Sequence, residues 1–198
     1  MAIFMVIVFL GFGNCIHAAN DLTLKFATSL KNLHPMMACP DGGPVPSTNG
    51  TSIRIGSDRF CYLSFAADCS FDSSGLPVNC GTGGCGKNTC TLDNPPVVAT
   101  TIVFNRGTVR ITIAKGYNFG LRAEFLCAGC PSFSCVIPLN TCPDNLKELD
   151  NSGSLVGCNS GVGLPSGENC PADGPSSDGK NVFTWPIPNP ILMIHVVP

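Results

Sequence analysis

The residues able to do acid, base or nucleophilic chemistry are few and badly placed for it. Beyond residue 19 only His34 and His195 supply an imidazole, near opposite ends of the chain. Neither stands beside a nucleophile motif, so a Ser-His-Asp hydrolase has no support. Paired carboxylates need no motif, only two acids held roughly 5 to 9 Å apart. Between Asn94 and Ala123, however, the sequence contains no Asp or Glu, while Arg106, Arg110, Lys115 and Arg122 are present. A cleft lined by that stretch cannot draw its acid and base from it. The run Gly81-Thr-Gly-Gly-Cys-Gly-Lys-Asn88 approaches a phosphate-cradling loop, but Asn88 stands where the Mg²⁺-binding hydroxyl belongs. Cys80, Cys85 and Cys90 bracket it, so its glycines are read as backbone turns between closely spaced bridges.

The cysteines say more. Residues 2–10, AIFMVIVFL, form an apolar run that ends at Gly11 and Gly13 and is followed by Ala18 and Ala19. This reads as a secretory signal peptide over 1–19, with a mature chain from Asn20. Its removal takes Cys15 and leaves twelve of the 13 cysteines, an even number, which in an oxidising compartment reads as a disulfide framework. Only Cys127 and Cys130 have the C-x2-C spacing of a zinc knuckle, so no metal is expected, and no cofactor either. The CAGC pair lacks the βαβ surroundings of a redox motif. Asn49-Gly50-Thr51 is an N-glycosylation sequon in a stretch that reads as a surface loop.

The elements that must position these residues follow from pattern. With 198 residues, 44% hydrophobic and 12% charged, the chain is one domain or one plus an appendage. A net charge of −2 with scattered Lys and Arg speaks against nucleic acid and against a basic membrane-binding patch, and ILMIHVVP at the C-terminus is too short to span a bilayer. Thr108 to Ile113 alternates apolar and polar residues, the mark of a half-buried strand, and pairs with Val97 to Phe104 through the turn Asn105-Arg106-Gly107. Ser52 to Ile55, Phe60 to Ala66 and Tyr117 to Phe125 are weaker strands, and Leu22 to Thr28 and Leu192 to Val197 are expected to close the sheet from its two ends. Pro143 to Leu149 offers one or two helical turns with Asp144 as cap. The expectation is an all-β sandwich with a cysteine-rich, loop-dominated appendage over about 126–180.

The stretch from Cys69-Ser-Phe-Asp72 through Cys80-Gly-Thr-Gly-Gly-Cys85 to Cys90 and Pro95-Pro96 resembles the signature of the thaumatin-like proteins. Lys115-Gly-Tyr-Asn118, Cys130, Cys135, Cys142-Pro143, Cys158, Cys170-Pro171 and Val197-Pro198 continue it in order. The resemblance implies a flattened β-sandwich, secretion to the extracellular space or apoplast, and a pathogenesis-related, antifungal type of role. It also implies bridges Cys69–Cys80, Cys85–Cys90, Cys135–Cys170 and Cys142–Cys158. The family's bridge between first and last strands is missing at both ends, near Ser29 or Leu30 and at Val197. Trp185 stands where the partner of Cys130 belongs, which leaves Cys127, Cys39 or Cys61 for Cys130. A cluster of four cysteines after Cys158 is absent.

The family's acidic cleft is stripped as well. Asn94 replaces an Arg, Thr101 a Glu, Arg110 an Asp, and Gly84 the signature Asp; Glu124 and Asp173 remain near cleft positions. Exchange of a carboxylate for Arg110 reverses the local charge and works against a protonated general acid nearby. The expectation is a non-catalytic, monomeric, secreted defence-type protein whose partner is cell-wall β-1,3-glucan or a foreign protein. Sugar contacts would fall on Asn94, Thr101, Arg110 and Tyr117. The alternatives are a weak endo-β-1,3-glucanase using Glu124 and Asp173, and an inhibitor of a foreign enzyme.

Overall fold

The structure, a computed structural model, describes residues 21–40, 52–73, 75, 77–85, 90–161, 170 and 182–198. The expected signal peptide, the sequon at Asn49 and the candidate Asp173 lie outside the described residues. Along the described chain run β1 (Asp21–Thr28), β2 (Leu33–Ala38), β3 (Ile53–Gly56), β4 (Phe60–Ala67), β5 (Ser70–Phe71), β6 (Pro77–Val78) and β7 (Thr101–Asn105). They are followed by β8 (Thr108–Thr112), β9 (Gly120–Phe125), β10 (Ser132–Cys135), β11 (Lys147–Leu149), β12 (Leu155–Cys158), β13 (Phe183–Thr184) and β14 (Ile191–Val197).

Ten of these strands make two five-stranded sheets, β10-β9-β14-β1-β3 (sheet A) and β13-β8-β7-β4-β2 (sheet B). Alternation decides which side chains meet between them. Leu22, Leu24, Leu121, Ala123, Leu192 and Ile194 point inward from sheet A, and Leu63, Ile102, Phe104, Val109 and Ile111 from sheet B; all are buried in one core. Aromatic contacts staple the layers: Phe26 meets Phe65 edge-on with ring centroids 5.6 Å apart, and Phe133 stacks on Phe183 at 4.3 Å. The fold is an all-β sandwich.

Several expectations need correction. β1 and β14 do not close the sheet from its ends; they pair in parallel near the centre of sheet A, from Thr23↔Ile191 to Thr28↔Val196. Each bonds a neighbour along both of its edges, β1 to β14 and β3, β14 to β1 and β9. Ser132–Cys135, at the start of the supposed appendage, is an edge strand of sheet A. Pro143 to Leu149 gives one 3-10 turn, Asp144–Leu146, and then a strand. Asp144 caps nothing with its side chain and pairs instead with Lys147, which lowers its carboxyl pKa through hydrogen bond and charge. Val98 has φ +52°, a left-handed conformation hard on a β-branched residue, so β7 begins only at Thr101.

Candidate functional site

The outer face of sheet B is where the expected ligand positions would meet. Register lines up Ala38, Tyr62, Val103 and Arg110 across β2, β4, β7 and β8, all pointing away from the core. Phe60 adds a ring edge-on to Tyr62 at 5.1 Å. Partial burial pulls the Arg110 guanidinium below its ordinary pKa, with nearby Tyr62 acting the other way; it remains a cation at any physiological pH. The strands of sheet B contain no Asp or Glu. One end of this face is roofed by the 80–85 segment: Met36, Ala38 and Ala66 pack against Cys85 and Cys90, and the Ser64 hydroxyl donates to the Gly83 carbonyl at 3.1 Å.

The other expected contacts separate. Thr101 is 2% exposed and its hydroxyl donates to the Ala99 carbonyl; Tyr117 is 1% exposed, a core ring whose hydroxyl lies 3.4 Å from Thr141 Oγ1. Neither presents a group to a ligand. This corrects the sequence reading: Tyr117 turns into the core, and Thr101, although on the same face of sheet B as Val103 and Arg110, is buried there. The Asn94 amide donates to the Cys85 carbonyl at 3.1 Å, holding the segment after the Cys85–Cys90 bridge. Arg110 alone of these four stays at the surface of sheet B.

Glu124 sits on the opposite side of the molecule. It projects from the outer face of sheet A, half exposed, with Oε1 3.3 Å from His195 Nε2. The whole core therefore separates it from Arg110, and the groove around it holds no second carboxylate among the described residues. His34, the other histidine, lies on edge strand β2 against Phe71. Burial lowers its pKa, and its Nδ1 makes no hydrogen bond. No three of the described His, Cys, Asp and Glu residues come together as a metal site.

All twelve described cysteines are paired. The four bridges that the resemblance implies are formed, and the open cases resolve as Cys39–Cys61 and Cys127–Cys130. Gly84 lies against the first of those four: a β-carbon there would come 3.0 Å from Cys80 Cβ and 3.2 Å from its Sγ, so any side chain at this position crowds the bridge. Residues 35–177 match the thaumatin family. The chain belongs to that family. A thaumatin-like protein 1 of Pyrus pyrifolia is 30% identical over 140 residues, which is 60% of this chain and 57% of that relative's length. Among solved structures the thaumatin-like xylanase inhibitor TLXI is similar at 18% identity, with a TM-score of 0.48 over 89% of this chain and 99% of the other. Against the thaumatin-family pattern, Tyr62 and Phe60 are the surface residues that sequence reading missed. Their signal was the alternation of Phe60 and Tyr62 with the buried Cys61 and Leu63.

Proposed function

We propose that this member of the thaumatin family is a secreted, non-catalytic, defence-type protein whose sheet B face contacts cell-wall glucan outside the cell. The observation that carries the reading is the composition of that face: Arg110, Tyr62 and Phe60 on strands with no carboxylate. Glycoside hydrolysis needs a general acid and a partner carboxylate across the scissile bond, whereas binding needs an aromatic surface and a few polar groups. Six disulfides fit an oxidising compartment.

The test uses the purified secreted chain. Incubation with laminarin is expected to release no reducing sugar, and insoluble β-1,3-glucan is expected to retain the protein, with retention weakened in Tyr62→Ala. Turnover that disappears in Glu124→Gln would replace this reading with a glucanase. Absence of retention would move the function to a protein partner.

A further inference from the structure

The outer face of sheet A carries charge in a pattern that the glucan reading does not use. Arg122 on β9 lies directly opposite His195 on β14. His195 pairs with Ala27 on β1, and Lys25, two residues away on the same face, is its diagonal neighbour. Thr23, two further along, pairs with Arg54 on β3. Four basic side chains on four adjacent strands thus form one oblique track. Direct neighbours in a sheet are about 5 Å apart and diagonal ones about 7 to 8 Å. Lys25, Arg54 and Arg122 are exposed, and none forms an ion pair among the described residues. Carboxylates touch the track at both ends: Glu124 Oε1 lies 3.3 Å from His195 Nε2, and Asp21, the diagonal neighbour of Arg54, shares the outer side of Gly56 with Asp58. At the Arg122 end a groove of about 560 Å³ is lined by Arg122, Glu124, Ser132, Ser134, His195 and Val197.

We propose that this face binds a linear carboxylated polysaccharide, a polyuronate chain, with the track on successive carboxylates and one sugar unit in the groove. Arginine meets carboxylates through a planar fork of donors, and regularly spaced cations gain from releasing the counterions of a polyanion. In the groove Ser132 and Ser134 offer hydroxyls, and Glu124 and His195 offer partners for the hydroxyls of a sugar. A protein partner is disfavoured because the face presents no aromatic anchor: Phe26, Phe125 and Phe133 of its strands all turn inward. The same lack removes the stacking platform that single-stranded nucleic acid needs. The inference rests on the cell-wall-facing reading but uses the opposite side of the sandwich, so the two can fail separately.

The full-length secreted chain is titrated, over a salt series, with de-esterified polygalacturonate, its methyl ester, laminarin and single-stranded DNA. Binding is expected for the de-esterified polymer over the ester and DNA, and is expected to weaken with salt. The double variant Arg54→Gln/Arg122→Gln should lose about tenfold in affinity and flatten the logarithmic salt slope by about two, one for each cation removed. Glu124→Gln should tighten binding. Arg106→Gln/Lys147→Gln makes the same charge change off this face and should stay within about twofold. No binding at low salt, equal binding to ester or DNA, or an equal loss in the off-face pair would overturn the proposal. Laminarin retention unchanged in Arg54→Gln/Arg122→Gln would leave the glucan reading standing either way.

Discussion

Asn118 joins three parts of the chain through one buried amide. Its Oδ1 accepts from the Thr100 N–H at 3.3 Å and the Phe119 N–H at 2.9 Å, while its Nδ2 donates to the Phe65 carbonyl at 2.8 Å. Gly83 packs on the same node with φ +73°, and a β-carbon there would run into the Phe65 carbonyl and come 2.7 Å from the Asn118 amide. Only hydrogen fits. At 3% exposure, water does not replace the amide's partners, and a buried group left unpaired costs about 1 to 3 kcal/mol. Asn118→Ala is therefore expected to lower unfolding stability by about 2 to 4 kcal/mol, seen as a fall in urea midpoint of the oxidised protein with unchanged slope. A change within about 0.5 kcal/mol, the size of a surface substitution, would show that the loops hold without it. The motif Lys115-Gly-Tyr-Asn118 and the Gly-rich segment were both visible in sequence, but not that they touch, because the contact spans 35 to 53 residues of chain. The same limit explains Tyr117 and Thr101: the family resemblance put them near a cleft, whereas packing buries Tyr117 in the core and covers Thr101 on the outer face of sheet B.

At the scale of elements the β7–β8 hairpin was the clearest feature of the sequence, and its turn is where sequence and geometry disagree slightly. Asn105 pairs with Thr108, so the two loop residues are Arg106 and Gly107, with φ +45° and +76°. Two positive values in succession are the type I′ geometry that matches strand twist, and Asn-Gly is its preferred sequence. Arg at the first position pays a steric penalty that Asn largely avoids. Arg106→Asn is expected to raise stability by about 0.5 to 1 kcal/mol, read as a higher thermal midpoint, while Arg106→Val lowers it. β1, β4, β8 and β14 were legible to within a residue of their ends, whereas β9 starts at Gly120 and not at Tyr117. β2 was not singled out: it contains Pro35, which fits a strand because β2 is an edge of sheet B. β10 was hidden for another reason. The four residues Ser132–Cys135 carry too little pattern, and their pairing with β9 reveals them. The exposed face of each sheet was the least legible part of all, since the track over Lys25, Arg54, Arg122 and His195 comes from register between strands far apart in sequence.

For the whole molecule the decisive joint is the parallel pair of β1 and β14, which brings the first described strand beside the last. The sequence lacks cysteines at both ends of the bridge that the family places there. The parallel pairing does the same work by other means: Leu22, Leu24, Leu192 and Ile194 are fully buried beneath it, and each such side chain contributes roughly 1.5 to 3 kcal/mol on leaving water. Loss of a covalent tie at this joint is then survivable, whereas a single unpaired thiol would not be neutral in an oxidising compartment. The register also says where the tie belongs. Thr28 pairs with Val196, so Ser29 and Val197 lie one residue beyond that pair on adjacent strands. Ser29→Cys combined with Val197→Cys is expected to form a seventh bridge in the secreted protein, with the six existing pairs unchanged by mass-spectrometric mapping. Because the closed loop takes in almost the entire sandwich, it removes a large share of unfolded-chain entropy, and the gain should reach about 3 to 5 kcal/mol unless strain intervenes. Free thiols at 29 and 197 in folded, secreted material would mean that the two strands do not keep this register beyond Thr28. A bridge that forms without raising the midpoint would mean that the parallel pair already survives in the unfolded ensemble, where a crosslink has nothing left to constrain.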